Sequence, residues 1–172
     1  MTILRTERLL LRRARPDDVP AFHAILSDPR AMLYWSTPPH ATLEETRIWV
    51  TGMAEDSPEE REDFVVELDG RVIGKAGCYR LPEIGYILHP EAQGQGHATE
   101  AAQALLGFAF GQVRLHRVYA RCDARNAASA KVMARLGMRE EAHLHEHAFV
   151  KGRWDEELIF SILDRDWSGA AA

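Results

Sequence analysis

Gln93-Gly94-Gln95-Gly96-His97-Ala98-Thr99-Glu100 is the stretch on which the reading of this chain turns. Before it, Glu83-Ile84-Gly85-Tyr86-Ile87-Leu88-His89 is an apolar run of strand length. After it, Ala98, Ala101, Ala102, Leu105, Leu106 and Ala109 give a small-residue packing face, predicting a helix from His97 to about Gln112. A loop so placed presents the first N–H groups of a helix, which have no partner inside it and point outward. With the positive end of the helix dipole they make an anion site. Glycine at 94 and 96 removes side chains that would keep a phosphate away. A nucleotide P-loop is excluded, because no Gly-Lys-Ser/Thr occurs. A dinucleotide fingerprint is excluded too: Thr99 stands where its third glycine belongs, and the loop comes too late in the chain. The eight residues alone are equally compatible with a glycine-rich turn that holds nothing.

Working upstream, Leu9, Leu10 and Leu11 within Arg8–Arg13 make a short strand. Pro16-Asp17-Asp18 opens a helix, since proline fits a first turn and aspartates complement its positive end. Val19, Phe22, Ile25 and Leu26 give it a buried face, and Asp28-Pro29 stops it. Thr42, with Glu45 three residues on, has capping-box spacing, and Trp49 and Met53 continue the stripe of a second helix. Glu55–Asp63 reads as an exposed acidic loop, either a solvated surface or a lure for a cationic substrate. Phe64–Leu68 and Arg71–Gly74 flank Asp69-Gly70, a hairpin turn dipeptide. Downstream, Val118–Cys122 reads as a strand and Asn126–Leu136 as a helix closed by Gly137. His143–Val150 and Trp154–Leu163 form a last hairpin around Lys151-Gly152. The order β-α-α-β-β-β-α-β-α-β-β predicts one α/β domain over residues 1–167, with a frayed tail at 168–172.

The 172 residues, 46% of them apolar, suffice for one sizeable core. A net charge of −5 argues against a nucleic-acid clamp and leaves room for a cationic partner such as an amine. No apolar run reaches the 18 or so residues of a membrane helix, and the charged N-terminus has no signal core. The expected setting is the cytoplasm, with no membrane partner. Cys78 and Cys122 are too few for a disulfide framework and read as buried small hydrophobes.

Gln93-x-x-Gly96-x-Ala98 matches the Gln/Arg-x-x-Gly-x-Gly/Ala signature of the Gcn5-related N-acetyltransferase (GNAT) superfamily, which the chain resembles from about Leu4 to Leu163. Thr6-Glu7-Arg8-Leu9-Leu10-Leu11-Arg12 with Asp17-Asp18, Glu83–Pro90, and Asn126-x-x-Ser129 with Leu136-Gly137-Met138 resemble its ribosomal-protein N-terminal alanine/serine acetyltransferase branch. The resemblance implies a mixed, mostly antiparallel central sheet flanked by helices and splayed between its fourth and fifth strands. It implies acetyl-CoA as cosubstrate in that split, with no metal. Its pyrophosphate would lie on the backbone of Gln93, Gly94, Gln95, Gly96, His97, Ala98 and Thr99. The pantetheine arm would pair with backbone near Ile87 and Leu88, whose N–H groups could also polarise the thioester carbonyl. Asn126 would hydrogen-bond the cofactor; capping the following helix is the equal alternative.

The attacking amine must be unprotonated. About a quarter of an α-amine is neutral at pH 7.4, against roughly one in a thousand for a lysine amine. A general base therefore helps a lysine or polyamine far more than a protein N-terminus. Glu83 is the candidate base, because relatives place one on this strand; a surface or substrate-positioning glutamate is the rival reading. Many relatives put a tyrosine four residues after the position of Ser129, where this chain has Met133, so Ser129 would donate to the leaving thiolate instead. The reading is acetyl transfer to a primary amine by direct attack in a ternary complex. A ribosomal-protein α-amine leads as acceptor, ahead of a polyamine or aminoglycoside. A non-catalytic acyl-CoA sensor is the alternative, supported by Met133 and opposed by Glu83, Asn126 and Ser129 together. Assembly as a homodimer is left open.

His143, His145 and His147 would share one face of a strand and could bind a metal, contact or deprotonate the acceptor, or simply be polar surface. Tyr34, Trp35, Trp49 and Tyr86 could wall an acceptor pocket or pack in the core.

Overall fold

The computed structural model describes residues 2–55 and 62–169. Its eight strands are β1 (Leu4–Arg5), β2 (Leu9–Arg12), β3 (Glu62–Leu68), β4 (Arg71–Arg80), β5 (Glu83–Leu88), β6 (Arg117–Asp123), β7 (Arg139–Val150) and β8 (Arg153–Leu163). They form one sheet in the order β1-β2-β3-β4-β5-β6-β8-β7. Every neighbouring pair is antiparallel except β5–β6, which is parallel. The additional strand is β1, two residues that turn at Thr6 to pair with Leu10 and Leu11, too short to show a period. The helices are α1 (Val19–Leu26), α2 (Leu43–Ala54), α3 (His97–Gly111) and α4 (Ala127–Arg135).

Strand alternation sends one set of side chains to each face. Leu9, Leu11, Phe64, Val66, Ala76, Ile84, Leu88, Val118, Ala120, Phe160 and Ile162 pack with Ala101, Ala102, Leu105, Leu106 and Ala109 of α3 and Met133 of α4. On the opposite face, Phe22, Ile25 and Leu26 of α1 and Val50 and Met53 of α2 cover Val65 and Ile87. Each fully buried side chain of this size contributes about 1.5–3 kcal/mol. The second layer stops at β5. Along β6, Val118, Ala120 and Cys122 are buried, whereas Arg117, Tyr119 and Asp123 are half-buried and Arg121 is exposed. Burial pushes the Cys78 thiol up to about 12 and the Cys122 thiol up to about 11, so both sit as inert thiols.

Several local readings are corrected. Pro16–Asp18 is a 3-10 turn leading into α1, and Asp18 is not a solvent-facing partner of the dipole. Its two oxygens accept from the Arg12 guanidinium at 2.8 Å, and one accepts the Arg15 N–H at 2.7 Å. The acidic loop ends sooner than expected. Glu62 and Asp63 open β3 and are buried, because Arg13 reaches Glu62 at 3.3 Å and Lys75 reaches Asp63 at 2.6 Å; residues 56–61 lie outside the described residues. Thr42 caps α2 by accepting the Glu45 N–H, but the Glu45 carboxylate takes the Ala41 N–H rather than closing a box on Thr42. Both hairpin turns have two left-handed residues: Asp69 (φ 49°) with Gly70 (φ 76°), and Lys151 (φ 51°) with Gly152 (φ 81°).

The feature that positions the site is the β5–β6 junction. Only Glu83 with Tyr119 and Ile84 with Ala120 are paired; beyond them the strands part. Gly85–Leu88 keep β4 on one side and have no strand on the other. The expected splay is therefore present, one strand further along the count because of β1. Among the described residues, no helix is long and apolar enough to cross a membrane.

Candidate active site

The glycine loop joins the open end of β5 to α3. Gly94 (φ 73°) and Gly96 (φ 85°) both take the left-handed backbone that β-carbon sterics disfavour. The side chains around them are spent on bracing. Gln93 Nε2 donates to Leu88 O at 3.0 Å, Gln95 Nε2 to Glu91 O at 2.6 Å, and the buried His97 ring to Ala92 O at 3.0 Å. The backbone N–H groups of Gly94 through Thr99 meet no protein acceptor among the described residues. They end at the N-terminus of a 15-residue helix. Arg8 adds a cation that sequence reasoning missed as a site residue: it bonds Gln95 O at 3.1 Å and Glu100 at 2.7 Å. Its only signal was its place in Thr6-Glu7-Arg8. A Cβ on Gly96 would lie 3.3 Å from the Arg8 Nη2. Free donors, a cation and the missing β-carbons suit a phosphate-bearing ligand.

An open groove of about 640 Å³ lies on the α1 side of this loop, lined by Arg71, His89, Gln95 and His97 among others. It includes no group from β6 or α4, so the β5–β6 split, not the groove, joins the loop to the remaining candidates.

At the closed end of the split, both oxygens of Glu83 are occupied. Arg121 Nε donates to Oε1 at 2.9 Å, and the Tyr119 hydroxyl donates to Oε2 at 3.0 Å. Arg121 also reaches Glu157 at 3.3 Å. Leu88 turns its backbone to the unpaired edge of β5, although its O already accepts from Gln93; Ile87 faces β4, as His89 two residues on does with its N–H on Ile73 O. Asn126 is the N-cap of α4, its Oδ1 accepting the Ser129 N–H at 3.1 Å. Ser129 Oγ lies 2.8 Å from the Tyr86 hydroxyl, which burial pushes up to about 12. Tyr86 and Ser129 sit on the α3–α4 side of the sheet, whereas Glu83 faces the other side with Tyr119 and Arg121. A thioester in the split would therefore have a hydroxyl on one side and a carboxylate on the other.

The bare face beyond Glu83 is a lattice of ion pairs. Arg125 binds Asp123 and, at 2.8 Å, Asp155; Arg153 joins Asp155 at 3.0 Å. Lys151, at the β7–β8 turn, reaches Met32 O at 2.5 Å and so ties the α1–α2 connection across this face.

The four aromatics do not gather into one wall. Trp49 packs on Phe22 with centroids 5.4 Å apart and takes Lys75 over its ring, and Trp35 packs in the same layer. Tyr86 is on the opposite side of the sheet, and Tyr34 is exposed. Nor do the three histidines form one row. Residues 145–147 bulge opposite Glu156, and Glu146 is left-handed at φ 45°, which breaks the alternation. His143 and His145 share Glu156 at 2.6 and 3.4 Å, whereas His147 turns to Glu157 at 3.5 Å. His143, His145 and Glu156 bring ligand atoms within 4.8 Å of one another, a closeness their mutual contacts already explain.

Comparison with known proteins agrees with this geometry. The family model for the acetyltransferase (GNAT) domain matches residues 8–139. A GNAT-family acetyltransferase from Bacillus anthracis superposes with a TM-score of 0.85 at 31% identity, over 95% of this chain and 99% of that one. The ribosomal L7/L12 α-N-protein acetyltransferase RimL in complex with coenzyme A superposes equally well, at 0.85, with 24% identity over 94% and 98% of the chains. The spermidine N(1)-acetyltransferase of Escherichia coli (strain K12) is 28% identical over 91% of this chain and 87% of its own. A glycine loop with free N–H groups at a helix N-terminus, a split parallel strand pair and these matches lead to one conclusion: the chain belongs to the GNAT family and is an acetyl-CoA-dependent N-acetyltransferase.

Proposed function

We propose that the acceptor is the α-amine of a protein N-terminus, of the kind ribosomal proteins carry, attacked directly in a ternary complex. The observation that carries this reading is the state of Glu83: Arg121 and Tyr119 already donate to its two oxygens. A carboxylate whose two oxygens already accept from these donors is a poor anchor for a second cation. The neighbouring carboxylates are engaged as well, Glu157 by Arg121, and Asp123 and Asp155 by Arg125. A polyamine, with several ammonium groups to match, would have to displace these arginines. An α-amine has one, and about a quarter of it is neutral at pH 7.4 without help.

In this reading the N–H groups of Gly94 through Thr99, braced by Gln93, bind the pyrophosphate, and Arg8 adds charge. The β5 edge at Leu88 pairs with the pantetheine arm and polarises the thioester carbonyl. The amine enters from the bare face, its nitrogen bonds to the acetyl carbon, and its surplus proton goes to Glu83, directly or through water. The C–S bond breaks with its electron pair on sulfur, and Ser129 hydrogen-bonds the thiolate. Asn126 caps α4 and so holds Ser129 in place.

A polyamine is the second reading, favoured by the spermidine-acetylating relative. Thiol release from acetyl-CoA separates the two. A peptide with a free alanine or serine N-terminus should react, and the same peptide N-acetylated with a lysine inside should not. Glu83→Gln should slow an α-amine only a few-fold, against at least about 100-fold for an amine that depends on a base. Turnover of spermidine above the free peptide, with a large Glu83→Gln effect, overturns the α-amine reading.

A further inference from the structure

We infer that Tyr86 is a positioning residue that aims the Ser129 hydroxyl at the leaving sulfur, an inference that rests on the role proposed for Ser129 above. Tyr86 lies on β5 two residues past Ile84, the last position paired with β6, and Ser129 lies on α4, which follows β6. Their 2.8 Å hydrogen bond thus bridges the two walls of the split where the strands have already parted. Met133, one turn further along α4, is buried in the core and offers no hydroxyl.

A serine hydroxyl has one proton and can accept two hydrogen bonds. Were Ser129 to donate to Tyr86, that proton would be spent and none would face the thiolate. The phenol can donate only to Ser129 among the described residues, to its Oγ at 2.8 Å or its carbonyl at 3.5 Å. Were the phenol to accept instead, its own proton would have only the Ser129 carbonyl at 3.5 Å, so donation from Tyr86 to Oγ at 2.8 Å leaves both hydroxyls better satisfied, and burial keeps that proton on the phenol. The chain then runs one way, from Tyr86 O–H to Ser129 Oγ and from Ser129 O–H to the leaving sulfur, each bond strengthening the next, with the neutral Cys122 thiol beside Ser129 the weaker competing partner. No proton crosses this chain. The thiolate is a stable leaving group near its ordinary pKa of about 8.5 and takes its proton from solvent after release, while the amine's proton leaves on the opposite side.

A double-mutant cycle tests this. Tyr86→Phe keeps the ring and removes the hydroxyl. Alone it should lower kcat about tenfold, the worth of one neutral hydrogen bond at its upper end, with the KM for acetyl-CoA within about twofold. Ser129→Ala should lower kcat at least as much, and adding Tyr86→Phe to it should cost nothing more. The Tyr86→Phe pH profile of kcat should run parallel to wild type from pH 6 to 9. A further loss in the double variant would mean that Tyr86 acts on its own and would overturn the inference. A slow Ser129→Ala beside a normal Tyr86→Phe sinks only the inference; a normal Ser129→Ala sinks both it and the serine's proposed role. A lowered thermal midpoint with normal kcat, measured well below that midpoint, would assign Tyr86 to packing and also overturn it.

Discussion

The two halves of the sheet handle charge in opposite ways. In β1–β4 helices cover both faces, and the charges there are buried in pairs: Arg12 with Asp18 and Glu67, Lys75 with Asp63. In β6–β8–β7 one face is bare, and its polar groups form partly exposed networks, Arg121 with Glu157, Arg125 with Asp155 and His143 with Glu156. A buried charge that loses its partner is stranded in low dielectric, whereas an exposed one is caught by water. The first half should therefore be intolerant of charge changes, and the second free to vary them.

The largest expected effect tests the covered half. Asp18→Asn strands part of the Arg12 charge and should cost about 3 kcal/mol, since breaking a buried pair costs 3–5 and Glu67 still partners Arg12. That is a fall in thermal midpoint of roughly 6–12 °C. Burial pushes the Asp18 carboxyl up, but the bonds from Arg12 and the Arg15 N–H outweigh it and hold the carboxyl below its ordinary 3.8. A depressed native pKa stabilises the fold above the ordinary value and loses that stability as pH falls through the native one. The gap between Asp18→Asn and wild type should accordingly narrow as pH drops below about 4. A variant as stable as wild type at pH 7 would break the comparison.

Next comes the loop between the halves. Gly96→Trp places a side chain beside Arg8 and forces a left-handed backbone that costs about 1–2 kcal/mol. With one charge-assisted hydrogen bond lost as well, acetyl-CoA should bind about 100-fold more weakly by calorimetry, with little change in folded content. Unchanged affinity would remove the phosphate loop from the site. The smallest effect tests the bare half: Glu156→Gln dissolves two histidine contacts at the surface, and its thermal midpoint should match wild type. A large loss there would mean the exposed network is structural after all.

Periodicity and turn chemistry made much of the fold legible. Asp69-Gly70 placed one hairpin, Lys151-Gly152 the other, and the small apolar stripe of α3 its buried face, because each is a local preference that packing did not oppose. Glu62 and Asp63 were misread because acidity looks like solvent exposure until Arg13 and Lys75, distant in sequence, arrive to pair with them. The histidine row failed for a related reason: the bulge that breaks it depends on β8, and β7 alone carries no sign of it.

What the sequence by itself determined, then, is the glycine loop before α3 and the family. Left-handed glycines before a helix and a fixed motif spacing are properties of neighbouring residues. Only the tertiary structure decided the state of the site. Glu83 is bound by Arg121 and Tyr119, and Tyr86 is joined to Ser129 across the split. These contacts link residues 36 to 43 positions apart in the chain. They exist because β5 and β6 run parallel, pair at two positions and then separate.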